Sequence, residues 1–495
     1  MIYPPPPQLK NKNLFQTKPF IHNEFINSNS TKTFKVINPA TEEIIAELPE
    51  QTSEEIEHAI KLSYEAFQTF RRTSVHERSK MLRKLFNLIM ENVDDLATLI
   101  TLENGKSFAD SKGEIVYGAS YFEWFAEESK RNYGEVIQPT NPNNKIITLK
   151  QPVGVVGLLC PFNFPSAMAT RKAAPAWAVG CTCVLKPDSQ TPLSSLALAY
   201  LAKEAGFPPS VFNVVLASTE STPMVGKMIC ENSLIKKVSF TGSTAVGKLL
   251  MKQSSTSLKK LSMELGGNAP IIVFNDADLE LAVTQSIASK FRSLGQTCVC
   301  ANRIFVQSEI YDKFCEKFAL AMKKFKIGNG LDEGVTHGCL INTKSIAKVE
   351  DQMKDALDKG AKILVEGGRL SNLGKNFYSP SALYDVPFDS KVFHEETFGP
   401  LAAIAKFEKR DEILDICNDT PYGLASYIFS ESLNNVWYMS EFLESGMVSV
   451  NTGVFTDCSL PFGGVKESGF GREGSLHGMD DYTVVKSINL GNIYR

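Results

Sequence analysis

The sequence predicts an α/β protein with two doubly wound domains, and three observations carry that prediction. From about residue 146 onward, short β-rich runs alternate with helical segments, the pattern of βαβ units around a mostly parallel sheet. The alternation starts afresh after residue 276. With 495 residues, 43% of them apolar, the chain is longer than one hydrophobic core usually supports and rich enough in apolar side chains to fill more than one.

Taken in order, the prolines of MIYPPPPQLKNKN read as a stiff, exposed lead-in. Thr52-x-x-Glu55 and Ser74-x-x-Glu77 are capping boxes, each followed by apolar residues at helical spacing. The second helix is expected to run to about Asn104-Gly105. IITLK alternates, and PVGVVGLLCPF is a continuous apolar run. TCVLK, FNVVL, KKVSF and APIIVF follow as strands, with helices over about 192–205, 222–231 and 244–254 and Gly206 as a C-terminal stop. RIFVQ, KILV, LAAIAKF, ASYIFS and MVSVN supply the second series, and PFGGVKESGFGREGS reads as an ordered loop.

Bulk properties remove several function classes. Lys and Arg total 52 against 55 Asp and Glu, interspersed, so there is no basic face for nucleic acid. The apolar run AAPAWAVGCTCVL has 13 residues between Lys172 and Lys186, too few to span a bilayer, so no membrane partner is expected. The N-terminus has neither a secretory apolar core nor an Arg/Ser-rich transit pattern, so a soluble, cytoplasmic protein is expected. Ten cysteines without a CxxC and six histidines without ligand spacing point to reduced thiols and to no metal.

Four stretches carry chemistry. In KKVSFTGSTAVGKLL a strand leads through Thr241-Gly242-Ser243 into a helix, as at a pyrophosphate site, although a glycine turn there is often only a turn. Lys186 ends a buried-looking strand in CTCVLKPDSQTP, where open α/β sheets bind ligands, or else it snorkels at a sheet edge. Glu264 in SMELGGNAP stands at a strand end, where partial desolvation would raise its pKa toward that of a working base. SLGQTCVCANR places Cys298 and Cys300 two apart, open to readings as metal ligands, a bridge, core filler or a nucleophile. With no histidine close in sequence, a Cys298 thiolate would need another base or coenzyme charge, starting from a free pKa of about 8.5.

PFNFP with Asn163, LKP with Lys186, FTGS, MELGG, GQTC, EETFGP with Glu396 and Phe398, and PFGGVKESGFGRE occur in one order over about 300 residues. Together they closely resemble the aldehyde dehydrogenase superfamily, and the resemblance runs from about residue 20 to 490. It implies two Rossmann-like domains: residues 1–133 and 153–265 for the dinucleotide, and 266–465 carrying the nucleophilic cysteine. A hairpin at 134–152 and the tail at 466–495 would bridge subunits of a homodimer or homotetramer.

By the same resemblance, Cys298 attacks the aldehyde, Asn163 and the Cys298 N–H hold the oxyanion, and Glu264 activates the hydrolytic water. Lys186 holds the adenosine ribose, Gly242 and Ser243 the pyrophosphate, and Glu396 the nicotinamide ribose, with Phe398, Pro161 and Phe162 alongside. Phe162 is also expected beside the tunnel crossed by a short aliphatic chain. Ser189 stands where many NAD-dependent members carry glutamate, which leaves room for a 2′-phosphate and favours NADP, with NAD still open because Asp188 is adjacent. MATRKAAPAWAVGCTCVLKP and SKFRSLGQTCVCANR resemble the branch of the superfamily that oxidises succinate semialdehyde. In that branch Arg171, Arg292 and Thr456, with Phe462, would receive the substrate carboxylate. Two structural salt bridges are the alternative for the arginines. Cys300 is a candidate partner for Cys298 in a reversible disulfide, although two residues in extended chain are near the upper limit of disulfide reach.

Overall fold

Thr52 and Ser74 each accept a hydrogen bond from the backbone N–H three residues on, and the Glu55 and Glu77 carboxylates accept one from the cap backbone N–H. In this computed structural model, which describes residues 3–493, the boxes open helices Ser53–Phe70 and Val75–Glu91. The expected continuous helix to residue 104 is broken at Asn92 (φ −110°, ψ 18°). There the Asn92 side-chain amide donates to the Leu88 carbonyl at 2.8 Å, and its oxygen accepts from Asn11 at 2.9 Å. A side chain that competes for helix carbonyls ends the helix, and a new one, Val93–Asn104, runs to Gly105 at φ +85°.

The alternation of apolar runs and helices produces two sheets, as the sequence predicts. The first has eight strands in the order Glu24–Phe25, Phe20–Ile21, Phe212–Val214, Thr182–Lys186, Val155–Leu159, Ile235–Thr241, Lys260–Glu264 and Gly469–Phe470. Its five central strands are parallel and buried, which is why they read as near-continuous apolar runs. From Val155–Leu159 the next strand in sequence lies on one side and Ile235–Thr241 on the other, so a crevice opens at the carboxyl ends of these strands. Register puts Leu159 opposite Lys186 and Phe240, and Thr241 opposite Glu264, so four chemistry-bearing strand ends meet along one edge.

The second sheet has seven strands in the order Lys362–Val365, Ser381–Tyr384, Leu401–Phe407, Ala301–Gln307, Ala269–Val273, Ala425–Phe429 and Met447–Val450. Only the Lys362–Val365 edge is antiparallel. Between strands and surface, helix Pro165–Val179 is buried along its whole length, with Trp177 stacked on Phe122 at 5.7 Å between ring centroids. That helix carries Arg171 and Lys172 through the core of the first lobe.

The 134–152 hairpin forms strands Val136–Ile137 and Lys145–Pro152, and Thr483–Leu490 pairs along the latter in a third, antiparallel sheet. The tail is more than a bridging element, which corrects the expectation for 466–495. Gly469–Phe470 is the outermost strand of the first sheet, and Glu473 is buried in the same lobe. The last two residues of that range lie outside the described residues. Close approach explains this docking: Gly469 has φ +107°, and a Cβ there would lie 1.9 Å from the Met263 carbonyl oxygen. Gly469→Ala is therefore expected to cost about 1–3 kcal/mol. It should show as a lower midpoint of thermal or urea unfolding; an unchanged midpoint would contradict this docking.

Candidate active site

The chain leaves strand Val155–Leu159 through Pro161, Phe162 and Asn163 before entering helix Pro165–Val179. The Asn163 side-chain N–H donates to the Gln296 carbonyl at 2.9 Å, which ties it to the segment two residues ahead of Cys298. Its backbone carbonyl accepts from Lys106 Nζ. Lys106 is buried, paired with Glu114 at 2.8 Å, and lies 4.0 Å from the Phe164 ring centroid. The other Glu114 oxygen accepts from Ser166 and Ala167 N–H at 2.9 and 3.1 Å and so caps the helix start. One buried ion pair thus fixes the backbone on both sides of Asn163.

Cys298 follows an abrupt reversal. After helix Leu279–Phe291, Ser293, Leu294 and Gly295 are all left-handed, at φ 49°, 53° and 73°. Asp110 accepts from the Ser293 N–H at 3.1 Å and holds this costly backbone. Gly267 lets the Cys298 loop come close: a Cβ there would meet the Cys298 carbonyl oxygen at 2.5 Å.

Asn163 and Cys298 both line two cavities, one on each side. One is walled by Tyr117, Phe164, Arg171, Arg292, Thr456 and Phe462. The other is walled by Pro161, Phe162, Gly242, Ser243, Glu396 and Phe398, and continues along Thr241–Ser243 to Lys186. Phe162 stands against Phe398 at 6.0 Å in this second groove. The residue beside the first cavity is Phe164, not Phe162, which corrects the placement expected from sequence. Ser189 does not line the groove; its hydroxyl bonds to that of Thr219 at 2.8 Å, and Asp188 forms the wall instead.

The salt-bridge alternative holds for part of Arg171. Its Nε is bonded to Glu473, yet its Nη2 is buried without a partner, and the Phe462 ring lies 4.1 Å from its guanidinium carbon. Arg292 lies 5.1 Å over the Phe164 ring and makes no ion pair among the described residues. Thr456 is exposed at the cavity mouth.

Electrostatics divide two buried carboxyls. Burial and the neighbouring Glu473 charge drive Glu264 well above the usual carboxylate range, and among the described residues neither of its oxygens has a hydrogen-bond partner. Burial works against Glu473 too, but Arg171 and Lys172 outweigh it and hold Glu473 below that range. Burial pushes the Cys298 thiol up to about 12, with Arg171 pulling the other way and Glu264 adding to the rise. Burial also lowers Lys186 and raises Glu396, whose oxygen accepts from the Gly267 N–H at 3.0 Å. Cys300 points elsewhere: its thiol donates to the Lys290 carbonyl at 3.3 Å and receives Lys290 Nζ at 3.5 Å.

The groove suits a dinucleotide. Lys186 is 5% exposed and its Nζ makes no hydrogen bond or ion pair among the described residues, so it is a buried cation in need of an anionic or hydroxylic partner. The N-terminus of helix Thr244–Ser254 opens on the same groove, with Gly242 and Ser243 at its rim.

Lys106, Glu114, Lys172, Glu473 and Tyr117 escaped the sequence reading. Their partners lie 57 and 301 residues away in the cases of Asn163 and Glu473, distances that no local spacing reveals. With no coenzyme bound, alkylation of Cys298 by iodoacetamide, followed on its peptide, should quicken about tenfold per pH unit between about pH 7 and 9. The thiolate fraction rises by that factor below its pKa. A rate already flat across the range would show a thiol that is ionised at neutral pH.

The aldehyde dehydrogenase family profile matches residues 25–488. An NADP(+)-dependent succinate-semialdehyde dehydrogenase of Saccharomyces cerevisiae is 59% identical over 487 residues, 98% of each chain. A glutarate-semialdehyde dehydrogenase of Pseudomonas putida is 50% identical over 481 residues, 97% of this chain and 99% of that one. The crystal structure of an NADP-dependent enzyme of E. coli superposes with a TM-score of 0.96 at 49% identity, covering 98% of this chain and 100% of that one. A chain matched along nearly its whole length in sequence and in fold belongs to the aldehyde dehydrogenase family.

Proposed function

We propose that this chain oxidises succinate semialdehyde to succinate with NADP or NAD, the last oxidative step of 4-aminobutyrate breakdown. The observation that carries the reading is the partition at Cys298: one thiol faces both a cavity with two incompletely satisfied guanidiniums and a groove leading to an unpaired lysine. Anionic substrate belongs in the first and the dinucleotide in the second.

Lys186, Gly242, Ser243, Glu396 and Phe398 would hold the dinucleotide, which supplies the hydride acceptor when bound. The Cys298 thiol gives its proton to the Glu264 carboxylate, which passes it to solvent, and the sulfur bonds to the aldehyde carbon; the resulting oxyanion receives the Cys298 N–H and the Asn163 N–H that is not given to Gln296. Loss of hydride from the carbon leaves a thioester on Cys298. Glu264, once deprotonated, takes a proton from the water that attacks this thioester, and succinate departs as the sulfur is released. Because its carboxyl is raised, the Glu264-dependent step gains rate as pH rises through that pKa.

Arg171 Nη2, Arg292 and Thr456 receive the substrate's far carboxylate. Lys186, with no carboxylate at position 189 to repel it, favours a 2′-phosphate and hence NADP, while Asp188 in the wall keeps NAD in contention. Glutarate semialdehyde, one methylene longer, is the second reading; a relative named for it is 50% identical, and one methylene is worth only about 1–3 kcal/mol of discrimination.

The third sheet, with Val136 77% and Val485 65% exposed, and the open edge of strand Met447–Val450 support a homodimer or homotetramer. Among the described residues no helix is long and apolar enough to cross a membrane, in keeping with a cytoplasmic enzyme. A reversible Cys298–Cys300 bridge would first have to release Cys300 from both Lys290 bonds.

The test is kcat/KM for succinate semialdehyde, glutarate semialdehyde and an uncharged aldehyde with each coenzyme. Arg292→Ala should lose about 10–100-fold more on the acidic aldehydes than on the uncharged one. Equal losses would remove the carboxylate site. A wild-type protein that reduces neither coenzyme would leave only a dinucleotide-binding protein without turnover.

A further inference from the structure

The cavity beside Cys298 holds a hydroxyl donor that the two arginines do not account for. Tyr117 and Tyr121 lie one turn apart on helix Phe108–Glu128, with hydroxyls 2.5 Å apart and rings edge to face at 5.2 Å. Tyr117 lines both the cavity and its outer mouth, whereas Tyr121 is 0% exposed. Arg292 and Thr456 also line both spaces, so these two and Tyr117 meet at the neck, with Arg171 further in.

The two phenols carry two protons but share one hydrogen bond. If Tyr117 donated to Tyr121, the Tyr121 proton would be buried without an acceptor. Among the described residues its hydroxyl has no other hydrogen-bond partner: of the charged groups near it, Arg171 can only donate, and the Glu473 oxygens are taken by Arg171 and Lys172. Leaving a buried donor unsatisfied is the costlier arrangement. In the reverse arrangement Tyr121 donates to Tyr117, and the Tyr117 proton turns into the cavity, where water or a ligand can accept it. The Arg171 charge acts in the same sense, drawing the phenol lone pairs toward itself and turning the protons away. Burial, with Tyr117 alongside, raises the Tyr121 hydroxyl well above its usual range, so it stays a donor at neutral pH.

We infer that Tyr117 is a specificity-determining residue whose hydroxyl, oriented by Tyr121, donates to the anionic end of the substrate at the neck shared with Arg292 and Thr456. The inference rests on the reading of this cavity as one for an aldehyde with an acid at its far end. A neutral donor there adds direction to the attraction of the two guanidiniums, because a carboxylate must present a lone pair along the O–H axis to gain the bond.

The test compares wild type, Tyr117→Phe and Tyr121→Phe on succinate semialdehyde and on butanal at saturating coenzyme. Both substitutions keep the ring, so packing is little changed, and melting curves check the fold. Tyr117→Phe should lose about tenfold more in kcat/KM on succinate semialdehyde than on butanal, chiefly through KM. Tyr121→Phe keeps the cavity hydroxyl but not its orientation, and should show the same bias at about two- to threefold. Proportional losses on both aldehydes, or no loss on either, would overturn the role of Tyr117 while wild type still prefers the acid. If wild type shows no such preference, the cavity reading itself fails and this inference with it, so wild type alone tells the two failures apart.

Discussion

Glu473 arrives from the tail of the chain and is buried between Arg171 and Lys172, two cations consecutive on a helix that is itself enclosed. Three charges in so dry a place are stable only as a set, since removing one partner of such a cluster costs about 3–5 kcal/mol. The set decides where other groups can be. It pins the glycine-rich loop across the first sheet, places Phe462 on the Arg171 guanidinium, and leaves Arg171, a residue of the cavity wall, with Nη2 buried and unpartnered among the described residues. Lys172 also donates to Thr241 at 2.6 Å, which joins the cluster to the strand end at the dinucleotide groove.

The same cluster explains why two buried carboxyls behave differently. Glu473 takes the cations and stays charged, while Glu264, buried alongside and repelled by Glu473, is held in its neutral form. Environments that push two acids apart in this way suit one to hold charge and the other to exchange a proton. Cys298, half-buried where the two cavities meet, is likewise pushed toward its neutral form.

Much of the fold was legible because its signals are local. Thr182–Lys186 and Leu401–Phe407 coincide with apolar runs punctuated by lysine, glycine and proline, and Thr52 and Ser74 carry their own caps. The break at Asn92 was not legible, because it depends partly on Asn11, 81 residues away. At the site, the motif residues Asn163, Cys298, Glu396 and Lys186 were nameable from their order, but Phe162 lines only the groove on the coenzyme side and Phe164, which no motif singled out, lines the other cavity, because a loop between strand and helix has no period to read. The Lys106–Glu114 pair under Asn163 was invisible for the same reason as Glu473: its meaning lies in what folds over it.

In the proposed reaction Cys298 forms a covalent bond to substrate at the wall between two cavities, and Glu264 is needed to release the product. Mass spectrometry of a Glu264→Gln variant, quenched after mixing with succinate semialdehyde and NADP, tests it most directly. A succinyl group on the peptide bearing Cys298, at its sulfur, with one reduced coenzyme per modified chain, is the predicted result. An unmodified Cys298 alongside reduced coenzyme, or the adduct on Cys300, would contradict the account.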